Sequence, residues 1–515
     1  MQTSGLSGGR RMRAVTAACT VALLALTTAA TAQEQKKGGT LTFGISNDVR
    51  GFDSVKGGVL GQAGETVMRT MQEPLLNWNP ETGQAEPLLA VEWSASDDQL
   101  VWTFKLREGV TFHDGSAFDA EDVAAHYNRI LDPELKSRSR AFIEPIEKVV
   151  AVDPLTVEFH LKHVWQALLP MISTTSMSGP IPAKENVEAD AQQRHPVGTG
   201  PFRFVDWMSG DRIVVERNPD YWAADEINLD RIVFRVLPDN QTRYASLKSG
   251  EVDLIWTDRG NTINEAKNEP GVVTLMTDGA GAATVMLNAK REPLNDPRLR
   301  AALAHAWNQE AVNKISWQNT RPNVTHPLGP DYDCGEAGYR HFDLKEAKRL
   351  VDEYKADKGV DTVKVVMVNT ATPRGRELGE IYQQTAAAAG IEMELVPYDT
   401  VVKPVFAGDW DVSGWRIADG PDMGPQLYGY VHTGSSYNLT GFNDPALDEL
   451  ADRMRVAPTR EERLQLQCEL VEAINRDGSI LYRGGGRYHV FTQEKVKNVP
   501  PPYKGVADVT RAWIE

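Results

Sequence analysis

Residues 363 to 395 restrict the fold more than any other stretch of the chain. Val363 to Val368 is a short run rich in β-branched residues and reads as a buried strand. Arg374 to Ala389 reads as a helix that Gly390 stops, and Ile391, Met393 and Leu395 then alternate as a second strand. Strand, helix and strand in that order make a βαβ unit, whose strands run parallel with a right-handed crossover. Asp411 to Trp415 reads as a third strand, and Asp343-x-x-Glu346 opens a helix with Leu344, Ala347, Leu350, Val351 and Tyr354 on its inner face. The chain is therefore expected to be α/β, and at 515 residues it is too long for one small core, so two or three lobes are expected.

The formal charge is −16, and −19 once the arginines of the first 32 residues are set aside. So acidic a surface argues against nucleic acid or an anionic membrane as partner. Met1 to Ala32 reads as a cleavable secretory signal: Arg10, Arg11 and Arg13 precede the apolar run Ala14 to Leu26, and Ala30-Thr31-Ala32 is a small-x-small cleavage site. Arg10-Arg11 leaves the Sec and twin-arginine routes both open. Cys19 departs with the signal. Cys334 and Cys468 are then exposed to an oxidising compartment, where they either bridge or stay free, since sequence does not set their separation. With no CxxC there is no zinc signature, and no cofactor is expected.

A second stretch, Leu100 to Leu131, forms a packing unit. Trp102, Phe104 and Leu106 alternate with Thr103, Lys105 and Arg107 as a half-buried strand. Turns follow at Arg107-Glu108-Gly109 and His113-Asp114-Gly115-Ser116, and Asp119 and Asp122 begin a helix with Val123, Tyr127 and Ile130 inward. Nothing here demands catalysis, and His113 reads as structural. Further on, Asn240 to Ser249 reads as a helix closed by Gly250, and Asp296-Pro297 caps a helix carrying Leu299, Leu303 and Ala306.

In open α/β sheets, ligands bind beyond the carboxyl ends of the strands. Two loops qualify. Asn369 to Arg376 also opens a helix, whose free amides favour an anion, and Arg374 and Arg376 add forked donors suited to a carboxylate. Trp415, Arg416, Asp419 and Asp422 lie on the second loop and offer an aromatic face and two carboxylates. If the loops border one cleft, they present opposite charges to a zwitterion. The bland alternatives are solvated helix-start charges for the arginines and turn chemistry for the aspartates. Beyond the leader, the absence of GxSxG and HExxH argues against a secreted hydrolase.

The segment FKLREGVTFHDGSAFDAEDV, with Glu73-Pro74-Leu75-Leu76, Gly198-Thr199-Gly200-Pro201-Phe202, Asn218-Pro219-Asp220-Tyr221-Trp222 and Leu247 to Asp253, closely resembles the family 5 extracellular solute-binding proteins of ABC importers. The resemblance implies a periplasmic-binding-protein-like fold of two hinged α/β lobes with mixed sheets plus an inserted extra lobe. It implies a discontinuous first lobe of residues 38–72, 199–290 and 483–515, an inserted lobe of 73–198 and a third lobe of 291–482. It further implies a monomeric periplasmic protein, not an enzyme, that captures a peptide or peptide-like solute by hinge closure and hands it to a membrane permease. Nickel, a metal chelate or an oligosaccharide are the other solutes the resemblance admits. Relatives hold a peptide's amino group with an aspartate shortly after Gly-Trp. Asp419 stands one position later than that pattern after Gly414-Trp415, which leaves Asp419 against Asp422 open. Arg374 or Arg376 matches the arginine that dipeptide-binding relatives use for the carboxylate.

Overall fold

The computed structural model describes residues 35–56, 61–330, 332–420 and 422–515. The expected secretory leader, Met1 to Ala32, lies outside the described residues, Cys19 with it. One mixed sheet of ten strands runs through the molecule. From one edge to the other its strands are Ile391–Tyr398, Val363–Thr370, Val412–Ile417, Val272–Leu287, Ile480–Gln493, Leu254–Thr257, Thr40–Ile45, Arg231–Val236, Arg212–Arg217 and Phe202–Met208. The first three are parallel, as the βαβ pattern requires: Val363 pairs with Ile391, and Met367 with Val412. Leu254–Thr257, Thr40–Ile45 and Arg231–Val236 form a second parallel group. Between the two groups lie two long antiparallel strands, Val272–Leu287 and Ile480–Gln493.

These long strands carry the break that divides the sheet. Their register shifts between Gly279 and Ala282 and again between Ala283 and Thr284, a bulged stretch that bends and twists the pair. Glycine is required on both sides of the bend. A Cβ on Gly486 would lie 2.5 Å from the Ala280 carbonyl oxygen, and one on Gly281, whose φ is +82°, would lie 2.7 Å from that of Ile417. Glycine removes the side-chain alternation that marks a strand, so only the end near Thr284 is legible in the sequence.

Apolar side chains on either side of the bend bury separate cores. Leu41, Phe43, Phe202, Phe234 and Val490 pack together on one side. Val285, Leu299, Leu303, Trp307, Val363 and Ile391 pack on the other. A third core, with Leu75, Phe104, Tyr127, Phe159 and Ile181, belongs to the segment after Glu73. Its antiparallel sheet runs Ala90–Ala95, Val101–Leu106, Thr156–Leu161, Ile146–Asp153, and helix Ala120–Leu131 lies against it. Asp119 accepts from the Glu121 and Asp122 amides, and Asp122 answers by accepting from the Asp119 amide at 3.1 Å, the reciprocal cap read from the sequence.

The motifs that carry the family resemblance turn out to weld this segment to its neighbour. The Glu73 carboxylate is 5% exposed and accepts from Tyr221 Oη at 2.7 Å, Thr199 Oγ1 at 3.0 Å and Trp222 Nε1 at 3.2 Å. Burial pushes that carboxyl up to about 7. Arg107 stacks over the Trp222 ring at 3.9 Å. His113 places Nε2 3.0 Å from the Gly200 carbonyl oxygen, and burial pulls its imidazole down to about 4, so it is the neutral structural histidine expected.

Strands Gln84–Pro87 and Ala90–Ala95, close in sequence, lie in separate sheets. Cys334 and Cys468 are bridged. No helix among the described residues is long and apolar enough to cross a membrane.

Candidate functional site

Parallel strands Val363–Thr370 and Val412–Ile417 are neighbours, so the two loops singled out in the sequence leave the same end of the sheet. Asp419 is 7% exposed. Its Oδ1 lies 3.2 Å from Arg416 Nη2, and the same guanidinium donates to Tyr488 Oη. The Arg416 side chain is nearly half exposed and yet crowded by protein charges, as on the wall of a cleft. Burial pulls its guanidinium down, but Tyr488, Asp419 and Glu65 outweigh that and hold it above its ordinary value. Gly279, at the bend in the long strands, approaches this group: a Cβ there would stand 3.2 Å from both Asp419 Oδ2 and the Tyr488 ring.

Two further charges face Asp419 from distant parts of the chain. Glu65 lies in the first turn of helix Gln62–Arg69, and Lys504 lies in the turn between Tyr503 and Val506. Burial pushes the Glu65 carboxyl up against the pull of Lys504 and Arg69. Burial pulls the Lys504 ammonium down against Asp419 and Glu65. Lys504 Nζ donates to the Thr175 carbonyl at 2.6 Å, tying it to the segment after Glu73. Sequence reasoning missed Glu65, Lys504 and Tyr488 because no local pattern joins residues so far apart in the chain.

Arg374 and Arg376 part company. Arg374 donates to Ser316 O at 2.9 Å, pairs with Glu377 at 2.7 Å and lies 5.2 Å over the Trp317 ring. Arg483 reaches that ring at 5.7 Å while donating to the Trp415 carbonyl at 3.0 Å, so Trp317 and Arg483 stand between the two loops. Arg321 lies over the same ring at 5.6 Å. Arg376 is exposed and donates to Ala371 O of its own loop, so it is not brought to Asp419. Thr372, not either arginine, caps the helix, accepting from the Gly375 amide at 3.1 Å.

Asp422 stands apart from Asp419. It meets Arg463 at 2.7 Å and accepts from the Gly424 amide at 2.8 Å and Gln467 at 2.9 Å, which is turn and packing chemistry. Trp415 donates through Nε1 to Tyr430 Oη at 2.9 Å. Asp422 does border a cavity of about 1350 Å3, above the usual ~300–1,000 Å3 of a small-molecule site. Arg138, Phe142, Trp165, Phe406, Tyr428 and Tyr437 line it, with Asp48 and Arg50. Phe142 meets Tyr437 with ring centroids 5.4 Å apart, and Arg455 bridges to Glu144 at 2.8 Å. His432 also lines the cavity, stacked on Tyr428 at 4.5 Å. Among the described residues, no group of three or more His, Cys, Asp or Glu is placed to hold a metal ion.

Arg416, Asp419, Tyr488, Glu65 and Lys504 thus gather beside the bend in the two long strands. The chain belongs to the bacterial extracellular solute-binding proteins, family 5, whose sequence pattern matches residues 84–438. It is 27% identical to heme-binding protein A of Haemophilus influenzae over 76% of this chain and 77% of that one. It is 27% identical to a glutathione-binding protein of Pectobacterium atrosepticum over 78% of this chain and 80% of that one. The fold matches a periplasmic binding protein from Helicobacter pylori, solved in complex with the peptide STSA, with a TM-score of 0.81 and 23% identity, covering 93% of this chain and 99% of that one. The relatives are binding proteins, and this chain is a binding protein rather than an enzyme.

Proposed function

We propose that this protein captures a peptide or peptide-like solute in the cleft that Asp419 and the cavity border, and delivers it unaltered to the permease of an ABC importer from the periplasm, acting as a monomer. The glutathione-binding relative supports a peptide-like ligand. The single observation that carries the reading is the cluster of Arg416, Asp419 and Tyr488 against Gly279, at the bend of the two strands that join the halves of the sheet. Asp419 meets the solute's amino group, Arg416 a carboxylate, and Trp415 and Arg374 shape the walls; Asp422 holds its loop, and Arg376 acts from the rim.

This reading takes the lobes that the resemblance implies: residues 38–72 with 199–290 and 483–515, an inserted lobe of 73–198, and 291–482. Residues 279–282 and 484–486 serve as the hinge. A solute that touches both sides stabilises the closed form by the difference in its affinity for the two states. Mass spectrometry of ligand released from protein purified without refolding tests the solute class. A peptide-like mass supports the reading, and a glycan or a nickel complex overturns it.

A further inference from the structure

The charges that wall the cleft are unbalanced, and in the direction opposite to the chain as a whole. Seven Lys and Arg border the large cavity against three carboxylates. The carboxylates are spoken for. Glu144 pairs with Arg455 and Lys162, Asp422 with Arg463, and Asp48 accepts from Trp207, Ser209 and the Gly210 amide. Among the described residues, Arg50, Lys136, Arg138, Arg140 and Lys403 have no carboxylate within ion-pair distance. An acidic protein that gathers unpaired cations at one opening focuses a positive potential there.

Around Trp317, which is outside the lining of that cavity, the same imbalance recurs. Arg321 and Arg483 share the face of Trp317 with no carboxylate bonded to either. Arg483 Nε is buried without a hydrogen-bond partner. Burial and the neighbouring guanidiniums of Arg416 and Arg483 pull Arg321 below its ordinary value against the opposing charge of Asp258. Guanidiniums crowded in this way are costly unless an anion joins them.

We infer that the solute is an oligoanion, a peptide-like molecule with at least two carboxylates, drawn in past Arg138 and Arg140 and seated against the guanidiniums on Trp317. This rests on the peptide-like reading and narrows it. Arg416 and Asp419 already neutralise each other, so a net negative ligand is what the remaining cations balance. The aromatic surfaces of Phe142, Tyr428 and Tyr437 cover its apolar parts.

Calorimetry on the mature chain with tri-glutamate, tri-alanine and tri-lysine tests this. Tri-glutamate should bind at least about tenfold more tightly than tri-alanine, and tri-lysine more weakly than either. Added salt should weaken tri-glutamate and leave tri-alanine nearly unchanged. The exposed pair Arg138→Glu with Arg140→Glu should cost tri-glutamate about tenfold at an unchanged melting temperature, and Arg321→Gln should weaken it too. Equal affinity for the three peptides, or tri-glutamate binding indifferent to salt and to the charge reversals, overturns the inference. If no tripeptide binds, citrate decides: citrate binding that is lost on the same charge reversals keeps the oligoanion and removes the peptide, whereas no binding of either removes both.

Discussion

Arg416 Nη2 lies 3.2 Å from Asp419 Oδ1 and also donates to Tyr488 Oη. The aspartate expected to receive a ligand's amino group is thus already held in place by a strand guanidinium. Its remaining oxygen faces Gly279, where no side chain intervenes. Holding Asp419 in one geometry before the solute arrives reduces the ordering cost of binding.

The two aspartates should therefore separate under mutation. Asp419→Ala should weaken an amine-bearing ligand by ~1–3 kcal/mol, the loss of a charged hydrogen bond, with little change in melting temperature. Asp422→Ala should instead destabilise the fold by about 3 kcal/mol, because Arg463 is left buried without its partner. Calorimetry with thermal unfolding on both variants reads the difference.

The glycines at the bend of the long strands make a second prediction. A methyl at position 486 meets the Ala280 carbonyl at 2.5 Å and that of Gly279 at 2.9 Å, both rigid backbone. Gly486→Ala should cost ~1–3 kcal/mol of stability by forcing the paired strands apart. Gly271→Ala, just before the partner strand Val272–Leu287 and with open space around it, controls for glycine replacement by facing strain without collision. Chemical denaturation of the two variants compares them.

Stability should respond to pH through two buried groups of opposite sign. His126 is 4% exposed, and burial pulls its imidazole down to about 4. The unfolded chain takes up a proton below about 6.5 and the folded chain does not until about 4, so this group's contribution is complete above pH ~6.5 and is lost as pH falls, by about 3 kcal/mol in all. Glu73, raised to about 7, works the other way. Its folded form keeps a proton that the unfolded chain releases above about 4.5, so stability falls as pH rises from ~4.5 to ~7, again by about 3 kcal/mol. His126→Gln should flatten the acid limb and Glu73→Gln the neutral limb in melting temperatures taken across pH 4 to 8.

How much of this was readable in the chain depended on range. The parallel strands at 363–370 and 391–398, the caps at Asp119 and Asp296 and the closing Gly250 are local patterns, and each is where the sequence put it. The two long strands were mostly illegible, because Gly279, Gly281 and Gly484 to Gly486 leave no alternating side chains. The site was half legible. Arg416 near the end of strand Val412–Ile417 and Asp419 just beyond it are close in sequence, but Glu65, Lys504, Tyr488 and Trp317 reach them only through the fold. Arg376 looked like an anion donor because it opens a helix, and its exposure beside its own Ala371 carbonyl could not be read from spacing.

The bridge between Cys334 and Cys468, 134 residues apart in sequence, should restrain the unfolded chain. By the loop-closure estimate, reduction should cost about 4–5 kcal/mol. Melting in the presence and absence of a thiol reductant measures it, and a double Cys→Ser variant should match the reduced protein.

The central claim is that two bodies close on a solute at the bend beside Asp419. Small-angle scattering of the mature chain with and without a saturating ligand, its binding established by calorimetry, tests this most directly. The account predicts a smaller radius of gyration on binding, reversed when the ligand is removed. A saturated protein whose scattering profile matches that of the empty one would contradict it.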